Sequence, residues 1–367
     1  MDDYDLAIRR SFAIIPKFGG VISIIGSTLL ARHIITPKKK PWGGVPLTGR
    51  MLFWISIVDI IVSFFVYFMS TWMAPRGSLG LPFAAGTTRT CTAQGFILLF
   101  GMTYFATTYS ALAVLYWLIV HRGWTKNQME QRRIRFSFLV TPVVVALCFA
   151  VPPLFFQMYN ANKSICFLKY YPPDCKEPAV ECTRGTVEGV NTARIFLYGY
   201  MLLGNIVVLV FMCLLIFAVY RQEKKSDRYI AKGQEKNRKN TRSTAWQGVR
   251  FSAAYILPYF MFYIFFFYHL ILLGNGEASE ALELVFVYWF VILTPMLGAF
   301  NSAVYFYPRY ASHKKQYPEK SRMVCLCDVL GLEIGWCCPR EDPEIETLES
   351  PASTPLINEE EGVRITV

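Results

Sequence analysis

Asp59 lies within an apolar run, Ser56-Ile57-Val58-Asp59-Ile60-Ile61. A carboxylate in hydrocarbon is costly and needs polar partners inside a helix bundle. Ser27, in Ile24-Ile25-Gly26-Ser27, and Asn301, in Gly298-Ala299-Phe300-Asn301, are the polar groups placed to meet it. Such a trio either ties three helices together or rearranges as a switch. Tyr305, one turn past Asn301, extends it as a polar core. The chemistry on offer is hydrogen bonding rather than catalysis. His33, His121, His269 and His313 are scattered, and no His/Cys/carboxylate grouping has metal-ligand spacing on one side of a membrane. Neither an enzyme, nor a cofactor, nor a metal site is expected.

Cysteines supply the remaining reactive groups. Cys91, Cys166, Cys175 and Cys182 fall in segments expected on the oxidising side. Two disulfides among four cysteines allow three connectivities. The sequon Asn162-Lys163-Ser164 lies among them, so Asn162 is a candidate for glycosylation. Cys325, Cys327, Cys337 and Cys338 follow a short basic segment, 309–322, that has the makings of a membrane-surface helix. Palmitoylation of these four, pinning the helix to the inner leaflet, is a better expectation than metal binding.

The elements that must position these residues are apolar stretches near 11–35, 49–73, 92–120, 135–158, 193–220, 248–273 and 281–307. Each exceeds the roughly 20 residues that cross about 30 Å of hydrocarbon. In lipid such stretches must be helical. The expected fold is an all-α membrane protein, a seven-transmembrane helix bundle. Basic residues set its orientation. Arg32, Lys38, Lys39, Lys40 and Arg50 follow the first stretch, and Arg122, Lys126, Arg132, Arg133 and Arg135 follow the third. The segment 221–242 is richer still, whereas 274–283 holds only acids among its charges. The positive-inside rule puts the N-terminus outside and the C-terminus in the cytosol.

The chain divides into a short extracellular N-terminus (1–10), the bundle (11–308), a juxtamembrane amphipathic segment with the cysteine cluster (309–339) and an acidic tail (340–367) expected to be disordered. The net charge of +11 sits in loops beside helix ends. It faces anionic lipid or acidic partners there, so nucleic acid is not an expected partner. The expected location is multi-pass in a membrane, the plasma membrane by preference.

In this setting the chain resembles the rhodopsin-like G-protein-coupled receptors, and among them the divergent protist and algal members near the slime-mould cyclic-AMP receptor group. Gly26-Ser27 stands at the family's Gly-Asn pair, and Asp59 at its helix 2 aspartate. Pro258 stands at its helix 6 proline, and Asn301-Ser302-Ala303-Val304-Tyr305 at its Asn-Pro-x-x-Tyr, with Ser for Pro. Leu115-Tyr116-Trp117 stands where the family has Asp-Arg-Tyr, so the arginine is missing.

The resemblance implies a receptor that passes an extracellular signal to a cytosolic partner, a heterotrimeric G protein by preference. It implies that Cys91 is joined to the second outer loop. Cys166 is the expected partner, with Cys175–Cys182 closing a short loop, and Cys91–Cys182 is the rival. It places an unidentified ligand near Gln94, Leu98, Met102, Tyr259, Tyr263, Tyr288 and Trp289. Leu98 stands where an amine-binding aspartate would be, and Pro295 where a retinal-binding lysine would be, so neither ligand type is expected. Tyr116, Trp117, Arg238, Lys239 and Arg242 would line the partner-binding rim. The alternatives are a small seven-helix transporter or channel and a membrane scaffold without signalling. Transport needs a polar path across the midplane, and intramembrane charge is nearly limited to Asp59, with Lys17 and Arg250 toward helix ends.

Overall fold

The computed structural model describes residues 3–36, 45–77, 83–162, 165–172, 174–175, 180–226 and 291–331, with 246, 249–250, 252–254, 256, 285 and 288–289 between the last two. Pro258, Tyr259, Tyr263, Arg238, Lys239, Arg242, Cys337, Cys338 and the acidic tail lie outside the described residues. The helices are α1 (Asp3–Ile35), α2 (Leu47–Val62), α3 (Thr88–Arg122), α4 (Lys126–Met129), α5 (Arg132–Ala150), α6 (Pro152–Phe155) and α7 (Val187–Ser226). After a 3-10 turn, Thr294–Met296, come α8 (Leu297–Gln316) and α9 (Arg322–Leu330).

Among the described residues, five helical segments are long and apolar enough to cross a membrane. They are Arg10–Ile35, Leu47–Phe68, Thr88–Arg122, Arg132–Phe155 and Val187–Arg221. The sixth expected stretch falls mostly outside the described residues. The second half of the seventh is α8. Large apolar side chains line the outer faces, among them Phe18 and Ile25 on α1, Val144 on α5 and Leu209 and Phe217 on α7. That surface suits hydrocarbon rather than water. This is a mostly helical membrane protein.

α3 is the central pillar. It packs against α2, α5 and α7 and carries a two-stranded hairpin on its first turns. Its start is set by a capping box between Thr87 and Thr90, and its end by Gly123 at φ 63°. Tyr109, Leu112 and Leu115 are buried along it.

The structure adds three features that the sequence-based expectation did not specify. The segment between α6 and α7 contains a hairpin within the expected all-α fold: β1 (Tyr159–Asn162) pairs antiparallel with β2 (Ile165–Leu168), with Ala161 opposite Cys166. The hairpin lies on α3 because Gly95 leaves room for Tyr159; a Cβ there would stand 2.5 Å from the ring. Helix α1 begins at Asp3, so most of the segment 1–10 is helical. Helix α8 runs through Pro308 to Gln316, so the division at 308 falls inside a helix.

Both disulfides pair as Cys91–Cys166 and Cys175–Cys182, spanning 75 and 7 residues of chain. In the chain-entropy account, the longer loop contributes about 4 kcal/mol and the shorter about 2. The variant C91S/C166S should therefore lose clearly more thermal stability than C175S/C182S when melted in detergent. Equal losses would show that the hairpin holds its place on α3 without the covalent link.

Candidate functional site

Asp59 is buried at 3% exposure. Its Oδ2 accepts hydrogen bonds from Ser27 Oγ at 2.8 Å, Ser23 Oγ at 2.9 Å and Ser63 Oγ at 3.4 Å. Ser23 Oγ in turn accepts from the Gly298 N–H at 2.8 Å. One carboxylate thus joins α1, α2, the turn after α2 and α8. Hydroxyl donors to a charged acceptor are the stronger class of hydrogen bond. No cation shares this cluster among the described residues.

Close helix approach makes the geometry possible. A Cβ at Gly298 would overlap Asp59 Oδ2 and Ser27 Oγ. A Cβ at Gly26 would stand 2.9 Å from the Ala299 Cα, and one at Gly19 2.8 Å from the Pro295 Cβ. Small residues along both helices let the α1 and α8 backbones meet, as they do between membrane helices generally.

The expected polar core is only partly assembled by direct bonds. Ser27 meets Asp59. Asn301 is buried one turn after Gly298, yet its side-chain amide has no hydrogen-bond partner among the described residues. The α8 contribution comes instead from a backbone N–H. Sequence reading missed Ser23, Ser63 and Gly298. Ser23 stands one turn before Ser27 and Ser63 one turn after Asp59, so helical spacing was the available signal.

The expected ligand set is not brought together among the described residues. Gln94 is fully buried, and both ends of its amide serve the fold. The chain after α2 leaves α-helical geometry through a π-helical turn, Ser63–Phe68, and a 3-10 turn, Ser70–Met73. Gln94 Nε2 donates to the carbonyls of Phe65, Val66 and Ser70 at 3.1, 3.4 and 2.8 Å. Its Oε1 accepts the Cys166 N–H at 2.8 Å, beside the disulfide. Gln94 is therefore withdrawn from the ligand set. Leu98 is buried in the core, and Met102 packs against it. Tyr288 hydrogen-bonds Ser11 at 2.5 Å and stacks on Phe12, tying its segment to α1. Trp289 is half-buried beside it.

At the end opposite the disulfides, Tyr116 is buried on α3, and Trp117 stacks on His121 and meets the edge of Phe211. Arg309 of α8 lies 3.7 Å from the Tyr305 ring centre and donates to the Tyr305 carbonyl at 2.8 Å. It is within electrostatic reach of Tyr116. Arg50 is buried, donates to the Val45 carbonyl at 2.9 Å and pairs with Glu130 at 3.4 Å.

Asn162 ends β1 and is half-buried, and the rest of its sequon lies outside the described residues. Cys325 and Cys327 correct the acylation expectation. Their exposures are 0% and 5%, because α9 docks on α8 with Asp328 between Lys320 and His313. Buried thiols are shielded from an acyl donor, whereas Met323 and Leu326 of the same helix face outward.

No protein-family model and no curated protein sequence matches the chain. Among solved structures it is similar to squid rhodopsin, with a TM-score of 0.60 over 85% of this chain and 81% of that one, at 13% identity. At that identity the likeness is one of fold: the chain has a rhodopsin-like fold.

The cluster makes a sharp prediction. Gly298→Ala forces Asp59 and Ser27 apart and should destabilise by about 2 kcal/mol, the usual scale of overpacking. Asp59→Asn keeps one acceptor oxygen for the hydroxyls and sheds the desolvation cost of the buried charge, so its thermal midpoint should stay closer to the wild type than that of Gly298→Ala. A D59N variant as unstable as G298A would mean that the ionised carboxylate itself holds the helices.

Proposed function

We propose that the protein is a receptor of the G-protein-coupled type, passing an extracellular signal to a cytosolic partner, by preference a heterotrimeric G protein. The rhodopsin-like fold supports the class. The observation that carries the reading is the Asp59 cluster, in which one buried acid joins α1, α2 and α8 through hydroxyls and a backbone N–H. A shift of α8 relative to α1 would exchange these bonds between neighbouring hydroxyls. That property suits a two-state bundle.

In this reading the disulfide-bonded hairpin faces outward, where Asn162 would be glycosylated, and the ligand enters between the hairpin and the helices. Arg309, Tyr116 and Tyr305 lie at the inner end. The basic segment 221–242 supplies a positive rim for an acidic or amphipathic partner. Met102, Tyr259, Tyr263, Tyr288 and Trp289 remain the proposed ligand contacts, and Cys337 and Cys338 the proposed acylation sites. The plasma membrane is the proposed location.

Recruitment of G proteins and arrestin to the full chain in cells, read by proximity labelling and energy transfer, tests this. The triple variant R238Q/K239Q/R242Q should weaken recruitment about tenfold, from three rim charges at roughly 0.5 kcal/mol each, with surface expression unchanged. A chain that reaches the surface and labels no cytosolic partner above control would leave the scaffold or transporter reading in its place.

A further inference from the structure

We propose that a groove on the outside of the bundle, between the start of α3 and the end of α5–α6, holds an anionic phospholipid from the leaflet on the side of the disulfide-bonded loops. The groove has a volume of about 450 Å³ and is open on the outside of the bundle. That size falls within the range of about 300–1,000 Å³ usual for small-molecule sites. Its two ends differ in chemistry. Arg89 and Arg184 stand at the loop end with Thr92, and Phe96, Ile97 and Leu154 line the other. Arg89 belongs to the first turn of α3, and Phe96 lies about 10 Å further along the helix at 1.5 Å per residue. A charged head at the interface and an acyl chain running into the hydrocarbon match this division.

The cations favour an anionic head over a zwitterionic one. Neither arginine pairs with a described carboxylate. Arg184 is held in place: its Nε donates to Asn160 Oδ1 at 2.8 Å and its Nη2 to Thr92 Oγ1 at 3.4 Å. A guanidinium has five N–H donors, so several remain for a phosphate, whose oxygens arginine matches well. Burial lowers the Arg184 pKa from its ordinary value, an effect that a nearby anion relieves. The apolar half would otherwise be a concave patch that a straight lipid tail fills.

The site is separate from the Asp59 cluster, and its test needs no signalling. The purified full chain is titrated with phosphatidylglycerol and phosphatidylcholine of equal chain length, and retained lipid is counted by native mass spectrometry. Phosphatidylglycerol should be retained preferentially. Arg89→Gln should lower that preference about fivefold, the effect of one arginine at an anionic lipid surface. Ala93→Trp, which fills the groove from an exposed position on α3, should lower retention of phosphatidylglycerol without touching either arginine. Arg184 is left intact because it also holds Asn160 and Thr92. Equal retention of the two lipids by the wild type would overturn the proposal, as would retention unchanged in both variants. Retention of free palmitate but not of phosphatidylglycerol would overturn the assignment to a phospholipid.

Discussion

In the hydrocarbon core lipid offers no hydrogen bonds, so polar groups of a membrane bundle are satisfied mainly from within the protein. An unanswered amide or hydroxyl costs about 1–3 kcal/mol on mutational scales. That constraint explains the outer end of α2. The chain there passes from α-helix to a π-helical and then a 3-10 turn, and its carbonyls lose their regular partners. Three side chains from two other helices take them up. Gln94 covers Phe65, Val66 and Ser70; Thr90 covers Met73 at 2.8 Å; and Lys17 reaches Phe68 at 3.0 Å. Lys17 also lies 3.9 Å over the Trp72 ring. The irregular turn is thus fixed to α1 and α3, and through the Cys166 N–H it is fixed to the hairpin.

The same constraint acts on Asp59 with the opposite outcome. At the end of α2 the side chains exist to satisfy the backbone. At Asp59 the side chain is the group in need, and the helices supply hydroxyls and, through Ser23, a backbone N–H. A carboxylate offers about four acceptor sites, more than any neutral side chain of its size. It can therefore gather donors from α1 and from its own helix together. The small residues Gly19, Gly26 and Gly298 follow from this, because donors on α1 reach Asp59 and α8 only if the backbones nearly touch.

Much of this was legible in the sequence, and what was not has physical reasons. Asp59 in an apolar run announces a buried polar cluster, and the basic loops announce helix ends. Hydroxyls are harder to read. Ser56, Thr103 and Thr108 bond the carbonyl four residues back, so a serine or threonine in such a helix is no sign of a tertiary contact. Ser23 and Ser63 looked no different. Gln94 was placed in the ligand set by the receptor resemblance. Its true task depends on the π-helical turn of another helix, which leaves no mark in an apolar pattern. The hairpin was missed because Tyr159-Asn160-Ala161-Asn162 lacks the branched and aromatic alternation of a strand. Its position comes from the disulfide and from the room above Gly95.

The end of the bundle opposite the disulfides draws its charge from more than one helix. α3 presents Tyr116 there, a neutral group, and the cations come from its neighbours. Arg309 is held by stacking on Tyr305 and by one carbonyl of its own helix, and Arg50 by an ion pair with Glu130. These two differ in what they join: Arg309 is tied within its own helix, whereas the Arg50–Glu130 pair, half-buried on the Glu130 side, joins two separate segments of chain. Glu130 lies in the connection between α3 and α5 and also pairs with Arg135 at 3.7 Å, so that connection is latched to the start of α2. Both Arg309 contacts lie within α8, so a movement of α8 carries that arginine along with Tyr305, whereas the Arg50–Glu130 pair resists separation of α2 from the α3–α5 connection.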